Sequence, residues 1–460
     1  MATAVTSLNS LSLIAHGKVW ALVLASAMVA AVLTLGAQAT FAQDEKQSST
    51  LEAEPSLLAS LFAQAGHSDA TRAALQRRGI RLEVDYTGEV FAIPSGGLHN
   101  GATYDGVLGG VLDLDFERLA GWKGGSMHAN GYQIHGKGPT AFVDNEFTIS
   151  NIEALPATRL YELWFEQALF NDTLKVRIGQ LAADGDFFAS EVSGQFLNGT
   201  FGWPGIVAVN LPAGGPAYPL ATPGVRVALV PNDHLTVLAA IYNGSPADPL
   251  AAEPEQNNRY GLDFRLNDPP LVMVETQYSY NQEGGARLLP GTIKIGGWRH
   301  FDDFPDQRTG VLHEGNYGVY AVVDQLIFAI DGKEKKGLST FARVSGSPGD
   351  RNPLDFYADT GLTFAAFIAG RPDDVFGFAV GYGHVASRAI AADRDAALLV
   401  VRDYEAVFEA NYRAEILPGL AVIPDFQYVW HPGTHVAQPD DPAAAVKDAA
   451  IVGVRSTLRY

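Results

Sequence analysis

Residues 161–180 read YELWFEQALFNDTLKVRIGQ. Glu162, Trp164 and Glu166 recur at intervals of two, and so do Lys175 and Arg177 after the Asn171-Asp172 turn. In an extended chain that spacing puts the side chains on one side. Two carboxylates, an indole and two cations can exchange hydrogen bonds with a polar solute, or can pair with one another along a wall. The other parity of the first run is Tyr161, Leu163 and Phe165. The charged side therefore faces bulk water, an enzyme cleft or a channel, and the elements around it must decide which.

Those elements are strands. From Gly79 onward the period is two: Ile80, Leu82, Val84 and Tyr86 alternate with Arg81, Glu83, Asp85 and Thr87. The pattern returns in VLDLDFERL, GVRVALV, HLTVLAAIY, RYGLDFRL, VMVETQYSY, GTIKIGG, LSTFARVS, VFGFAVGYG, YEAVFEANYRAEI, LAVIPDFQYVW and AIVGVRSTLRY. Repeated alternation over eight to twelve residues predicts β-strands. Tight turns (FNDT, VPNDH, ILPGL) interleave with long Gly/Pro/Asp-rich loops at 182–222, 243–258, 385–402 and 432–447. Short turns at one end, long loops at the other and an apolar parity rich in Tyr and Phe describe a transmembrane β-barrel. A soluble sandwich or propeller explains the alternation. It does not explain that aromatic parity, nor a last strand ending on Tyr460 with Leu458, Val454 and Val452 on one face. A terminal aromatic on such a strand resembles the signal read by the bacterial barrel-assembly machinery.

Composition agrees. Only 18% of the 460 residues are charged, against roughly 25% in soluble chains, and mean hydropathy is +0.03, too low for a helical membrane protein. His16 and Lys18 precede an apolar run, Val19 to Leu35, and small residues follow at Ala37, Ala39, Thr40 and Ala42. Residues 1–42 are thus expected to be a cleaved signal peptide, residues 43–78 a polar linker with a short helix, and residues 79–460 the barrel. Cleavage removes one lysine and no acid, leaving 31 basic against 51 acidic residues, a net charge of −20. That balance argues against nucleic acid as a partner. Cysteine is absent, so closure of a sheet rather than disulfides has to stabilise an exported chain.

Seventeen runs can be read as strands, but both termini at one end require an even number. The alternation of short and long connections conflicts between about residues 243 and 330, so one run there is not a barrel strand. The expected fold is all-β: a 16-stranded antiparallel transmembrane barrel with a short N-terminal helical segment and an inward-folded constriction loop. The loop from Leu181 to Pro223 is too apolar for a solvated outer loop, and Phe201, Trp203 and Tyr218 are its candidate constriction or packing residues.

Seven blocks resemble the carbohydrate-selective porin family OprB: residues 159–187, FLNGTFGWPG (196–205), YPLATPGVRV (218–227), LPGTIKIGGWRH (289–300), GNYGVYAVVDQ (315–325), GRPDDVFGFAVGYGH (370–384) and VIPDFQYVWHPG (422–433). The resemblance covers most of the mature chain, although Tyr460 replaces the commoner terminal Phe. It implies an outer-membrane porin passing monosaccharides and related small polar solutes to the periplasm. In that register the Tyr161, Leu163 and Phe165 side faces lipid and the polar parity lines the lumen: Glu162, Trp164, Glu166, Arg177, Arg226, Asp263, Arg265, Glu275, Gln277, Arg343, Glu409, Arg413, Asp425 and Gln427. Sugar hydroxyls accept from Arg and donate to carboxylates, and an apolar sugar face can stack on the Trp164 indole. A one-residue slip would reverse every one of these assignments.

Other classes find less support. There is no G-x-S-x-G and no H-E-x-x-H, and GKEKKGLS (332–339) has Leu338 where a phosphate loop needs Lys. The eleven histidines, His384 and His431 among them, read as loop or interface residues without metal spacing. Neither a cofactor nor a metal is expected. The expected partners are small-molecule sugars, outer-membrane lipid and the assembly machinery, and a homotrimer is compatible with the pattern. A channel for polyols or organic acids is the alternative, followed by a barrel hydrolase.

Overall fold

The computed structural model describes residues 68–282, 289–330 and 336–459. The expected signal peptide, the expected polar linker and the start of the expected helical segment lie outside the described residues; the helix that is described runs Ser68–Arg77. The sheet strands are β1 (Ile80–Gly97), β2 (Gly101–Asp115), β3 (Gly125–Gly136), β4 (Ala157–Leu169), β5 (Leu174–Leu181), β6 (Thr222–Asn232), β7 (Leu235–Tyr242), β8 (Leu271–Tyr280), β9 (Gly291–Pro305), β10 (Leu312–Ala329), β11 (Gly337–Gly346), β12 (Leu354–Ala365), β13 (Val375–Val385), β14 (Tyr404–Leu417) and β15 (Leu420–Trp430). A small ribbon, β16 (Ala437–Gln438) and β17 (Asp441–Ala445), decorates the last loop, and β18 (Lys447–Arg459) closes the sheet. All neighbours except the ribbon form one closed antiparallel barrel of sixteen strands, with β18 hydrogen-bonded to both β1 and β15. Closure leaves no sheet edge unpaired in hydrocarbon.

The alternation sorts side chains as expected over most of the wall. Leu82, Val84, Val90, Val274, Ile295, Val319, Phe378 and Val454 are exposed on the outside. The periplasmic turns are tight. Asn171 and Asp172, between β4 and β5, hold positive φ, as does Gly419 between β14 and β15. These are conformations that Asn, Asp and Gly adopt at least cost. No described helix is long and apolar enough to cross a membrane.

Three readings change. The surplus strand is RYGLDFRL: residues 259–266 have no ladder but lie against β4, where Leu160 N donates to Tyr260 O at 3.0 Å. VLDLDFERL is strand only to Asp115, whose carboxylate then caps a short helix, Phe116–Ala120. Tyr161 does not face lipid. Between Ala129/Leu163 and Gly131/Leu160 the β3–β4 register shifts, and Asn130 Oδ1 takes the bulged N–H of Glu162 at 2.8 Å. A bulge puts successive residues on one side of the sheet, so Tyr161 and Glu162 both point inward, while Leu163 and Phe165 keep the outward parity.

The lumen is narrowed by chain folded into it. Residues 137–156 and 182–221 fold into it, bringing Phe147, Phe188, Phe196, Phe201 and Ile206 to 1% exposure or less. The inward fold of the β5–β6 loop expected from its composition is therefore present. It gives the barrel an apolar core inside a polar wall.

Candidate functional site

Glu166, Arg177 and Arg226 lie opposite one another in one row across β4, β5 and β6. Glu166 Oε2 accepts from Arg177 Nε at 3.0 Å and from Arg226 Nη1 at 3.3 Å. Asp186, from the inward loop, faces the same pair: Arg226 Nη2 donates to its Oδ1 at 3.0 Å and Arg177 Nη1 lies 3.4 Å from its Oδ2. Two guanidiniums and two carboxylates thus form a charge-balanced square, partly accessible from the lumen. Beside it is a cavity of about 400 Å³, lined among others by Lys175, Asp186, Glu191, Arg226, Gln277 and Lys294. That volume is within the range of small-molecule sites.

Trp164 is on the lumenal side, but its ring is already occupied. The Arg177 guanidinium sits 3.8 Å from the indole centroid. From the strand on the other side, the His128 imidazole stacks at 4.8 Å and 15°. His128 in turn bonds Asp113 through Nδ1 at 2.6 Å. A sugar stacked on this indole, the expectation above, has no free ring face to use; the indole instead holds Arg177 in place by a cation–π contact. Gly179, paired with Trp164, makes the arrangement fit, since a Cβ there would meet Leu163 O at 2.2 Å and Trp164 Cα at 2.7 Å.

Several residues expected to line water anchor the loops instead. Arg343 is fully buried, bonds Asp359, and donates to the carbonyls of Phe188, Thr200, Phe201 and Gly202 at 2.9–3.2 Å. Glu275 accepts from Phe188 N and from the Tyr320 hydroxyl, both at 2.8 Å, with Gln277 Nε2 on its other oxygen at 2.7 Å. Glu409 accepts from the backbone N–H groups of Leu197 and Asn198 at 2.7 and 2.8 Å. Gln427 accepts from Asn198 Nδ2 and donates to Ile149 O and to Asp425. The physical reason is the same in each case: the loop leaves a strip of unpaired backbone groups facing the wall, and buried polar groups require partners. Glu162 does likewise for Ala182 N at 3.0 Å.

The remaining expectations divide. Asp263 and Arg265 are not on a strand and not in the lumen; they lie in the β7–β8 loop, where Arg265 is bidentate to Asp268. Arg413 bonds Glu415 near the periplasmic end of β14. Phe201 is buried against Phe196 and Phe341, so it packs and does not constrict. Trp203 donates from Nε1 to Gly214 O within the loop. Tyr218 joins Tyr132 and Tyr161 in an aromatic cluster, beside the buried Asp184 carboxylate that Tyr161 OH and Tyr218 N both reach. Burial holds that carboxyl above its ordinary range, against those two hydrogen bonds. Residues absent from the expected set are Asp186, Glu191 and Lys294. Lys294 was visible in the alternation of GTIKIGG, whereas the two acids sit in a loop whose path no period reveals.

A family model described as carbohydrate-selective porin, OprB family, matches residues 99–460. The chain belongs to that family. It is similar to Porin B of Pseudomonas aeruginosa, with 23% identity across 79% of this chain and 85% of that protein. The high-pH structure of Pseudomonas putida OprB superposes with a TM-score of 0.75 at 19% identity, covering 85% of this chain and 97% of that one. The outer-membrane channel DcaP of Acinetobacter baumannii shares the fold at a TM-score of 0.51 and 12% identity, covering 83% and 97%. This OprB porin is thus an outer-membrane barrel giving carbohydrates passive passage to the periplasm.

Proposed function

We propose that this OprB porin passes glucose-sized monosaccharides through an eyelet made by the Glu166–Arg177–Arg226–Asp186 square and the cavity beside it. The observation that carries the reading is the balance of the square, two donors and two acceptors reaching the lumen. A hydroxylated ring can exchange with such a set bond for bond and leave no net charge stranded. Passage needs weak binding: millimolar affinity corresponds to roughly −4 kcal/mol, about what a few water-competed hydrogen bonds supply. Trp164 and His128 act here as positioning residues for Arg177. The lining comes from one chain, so conduction belongs to each barrel whether or not barrels associate.

A second reading has its own observation. Lys175, Arg226 and Lys294 bring three cations to the cavity against Asp186 and Glu191, which suits sugar acids or other organic anions. Liposome swelling with glucose, a disaccharide, gluconate and an amino acid separates the two. Glucose is expected to enter faster than an amino acid of similar size and faster than gluconate; faster gluconate entry would favour the second reading. In planar bilayers, Arg226→Gln is expected to raise the glucose concentration for half-block of ion current about tenfold, roughly 1.4 kcal/mol. Unchanged block would remove the square from the solute's path. No catalytic role belongs to this proposal, and hydrolase activity of the purified barrel would overturn it.

A further inference from the structure

His431 and His435 stand four residues apart in HPGTH, the turn that follows β15. The turn is not helical: His431, Gly433, Thr434 and His435 all carry positive φ. Asp403, the residue before β14, comes to the same place from the other side, because its N–H donates to Thr434 O at 3.0 Å. One donor atom from each of Asp403, His431 and His435 lies within 4.8 Å of the others.

The pairwise geometry is specific. Asp403 Oδ1 is 2.8 Å from His431 Nδ1, and Asp403 Oδ2 is 3.7 Å from His435 Nδ1. The imidazoles stack at 4.3 Å, and Tyr404 covers His431 at 4.2 Å. His435 Nδ1 is buried and has no hydrogen-bond partner among the described residues. At 3.7 Å the carboxylate is too far to serve as one. An Asp–His hydrogen bond accounts for His431 but leaves the second imidazole's nitrogen aimed at the same carboxylate with nothing between them. Four-coordinate zinc holds its ligands at about 2.0–2.2 Å, so tetrahedral donors sit about 3.4 Å apart. The 2.8 and 3.7 Å distances run to the two oxygens of one carboxylate, and one donor atom from each residue falls within 4.8 Å of the others. Small side-chain rotations therefore bring one oxygen and both nitrogens to that spacing.

We infer that Asp403, His431 and His435 form a divalent transition-metal site, best matched to Zn²⁺, that clasps the β13–β14 loop to the β15–β18 loop at the extracellular rim. Two imidazole nitrogens and one carboxylate oxygen suit zinc and leave the fourth position to water. Asp448 accepts from His431 N at 3.0 Å, fixing the turn and adding negative charge next to the ion. Glu405 does the same for Gly433 N at 2.8 Å, so the backbone that presents both imidazoles is held from beneath. The site lies on the rim, apart from the eyelet, and its role is to fix two loops that are otherwise joined by few backbone bonds.

The test uses the full mature porin in detergent, without a histidine tag, titrated with ZnCl₂ by calorimetry after EDTA treatment. One saturable equivalent with micromolar or tighter affinity is expected. His435→Ala and, separately, Asp403→Asn are expected to weaken it at least thirtyfold. His384→Ala, which removes another rim histidine, is expected to leave it unchanged. Unboiled electrophoretic mobility reports that each variant is a folded barrel. Zinc is also expected to slow trypsin cleavage at Arg402 and Lys447 in the wild type and not in His435→Ala. No saturable binding, or equal binding by the wild type and both site variants, would overturn the assignment.

Discussion

Arg343 shows how a single side chain determines what the lumen is. Its guanidinium reaches four loop carbonyls and the Asp359 carboxylate, and none of it touches solvent. A charge so placed is tolerable only because every donor is used, and removal of one partner of such a pair costs about 3–5 kcal/mol. Arg343→Met is therefore expected to lower the free energy of unfolding, read from urea denaturation, by an amount in that range. Its single-channel current should also become larger and noisier, because the β5–β6 loop loses its central anchor. Arg343→Met combined with Asp359→Leu is expected to recover part of the stability, since no lone carboxylate is left, but not the quiet current. If Arg343→Met left both stability and noise unchanged, the loop would be held by other contacts. Residue types in the sequence placed Arg343, Glu275 and Glu409 on the inner side correctly. What they face was not legible there, because alternation reports a side of the sheet and not what lies across from it. Forty residues of loop, rather than water, lie across from them.

Among elements, the β3–β4 loop (137–156) carries a buried carboxylate of its own that ties its two ends together. Glu153 accepts from Thr140 N at 3.1 Å and from Thr140 Oγ1 at 2.7 Å. Burial pushes its pKa up to about 7 despite those bonds. The folded state then binds the proton more tightly than the unfolded chain, whose carboxyl titrates near 4.5. Stability from this group is thus fully present below about pH 4.5, is lost as pH rises towards 7, and changes little above that. Protection against hydrogen exchange in residues 137–156, taken relative to the intrinsic rate at each pH, is expected to fall across this window, and Glu153→Gln to flatten the dependence. A wild-type profile that does not change between pH 4.5 and 7 would refute it. Element boundaries explain the misreadings too. One bulged residue at Tyr161–Glu162 was enough to turn Tyr161 from the lipid side to the lumen, and period counting has no signal for a bulge. RYGLDFRL alternates because it lies along β4 with Tyr260 and Leu262 exposed, so its pattern was genuine while its strand assignment was not. The rim triad has no signature in the sequence, because Asp403 is remote from HPGTH and is brought there only by the pairing of β14 with β15.

For the molecule as a whole, closure is the property on which the rest depends, and β18 supplies it. It pairs with β1 from Asp85↔Arg459 to Gly97↔Lys447, and with β15 from Leu420↔Leu458 to Val429↔Ala449. Its Arg455 also bonds Glu89 across the seam at 2.6 Å and Ser150 of the inward β3–β4 loop at 3.1 Å. Two kinds of damage can therefore be separated. Arg455→Leu breaks a buried ion pair and is expected to cost about 3–5 kcal/mol, yet every backbone pair of the seam survives. The barrel should still close, run as a compact band before boiling, and conduct sugar at a lower midpoint of unfolding. Deletion of residues 447–460 removes the partner of two strands at once. It strands two edges in hydrocarbon, where each unsatisfied backbone group costs several kcal/mol. That chain is expected to show no compact unboiled band and no glucose permeation in liposomes. Were it to show both, closure by β18 would not be what holds the eyelet, and the loops filling the lumen would have to stabilise an open sheet by themselves. Their anchors argue otherwise. Arg343 on β11, Glu275 on β8, Glu409 on β14 and Glu162 on β4 grip the loops from widely spaced points of the wall, and only a closed barrel brings those points around one lumen.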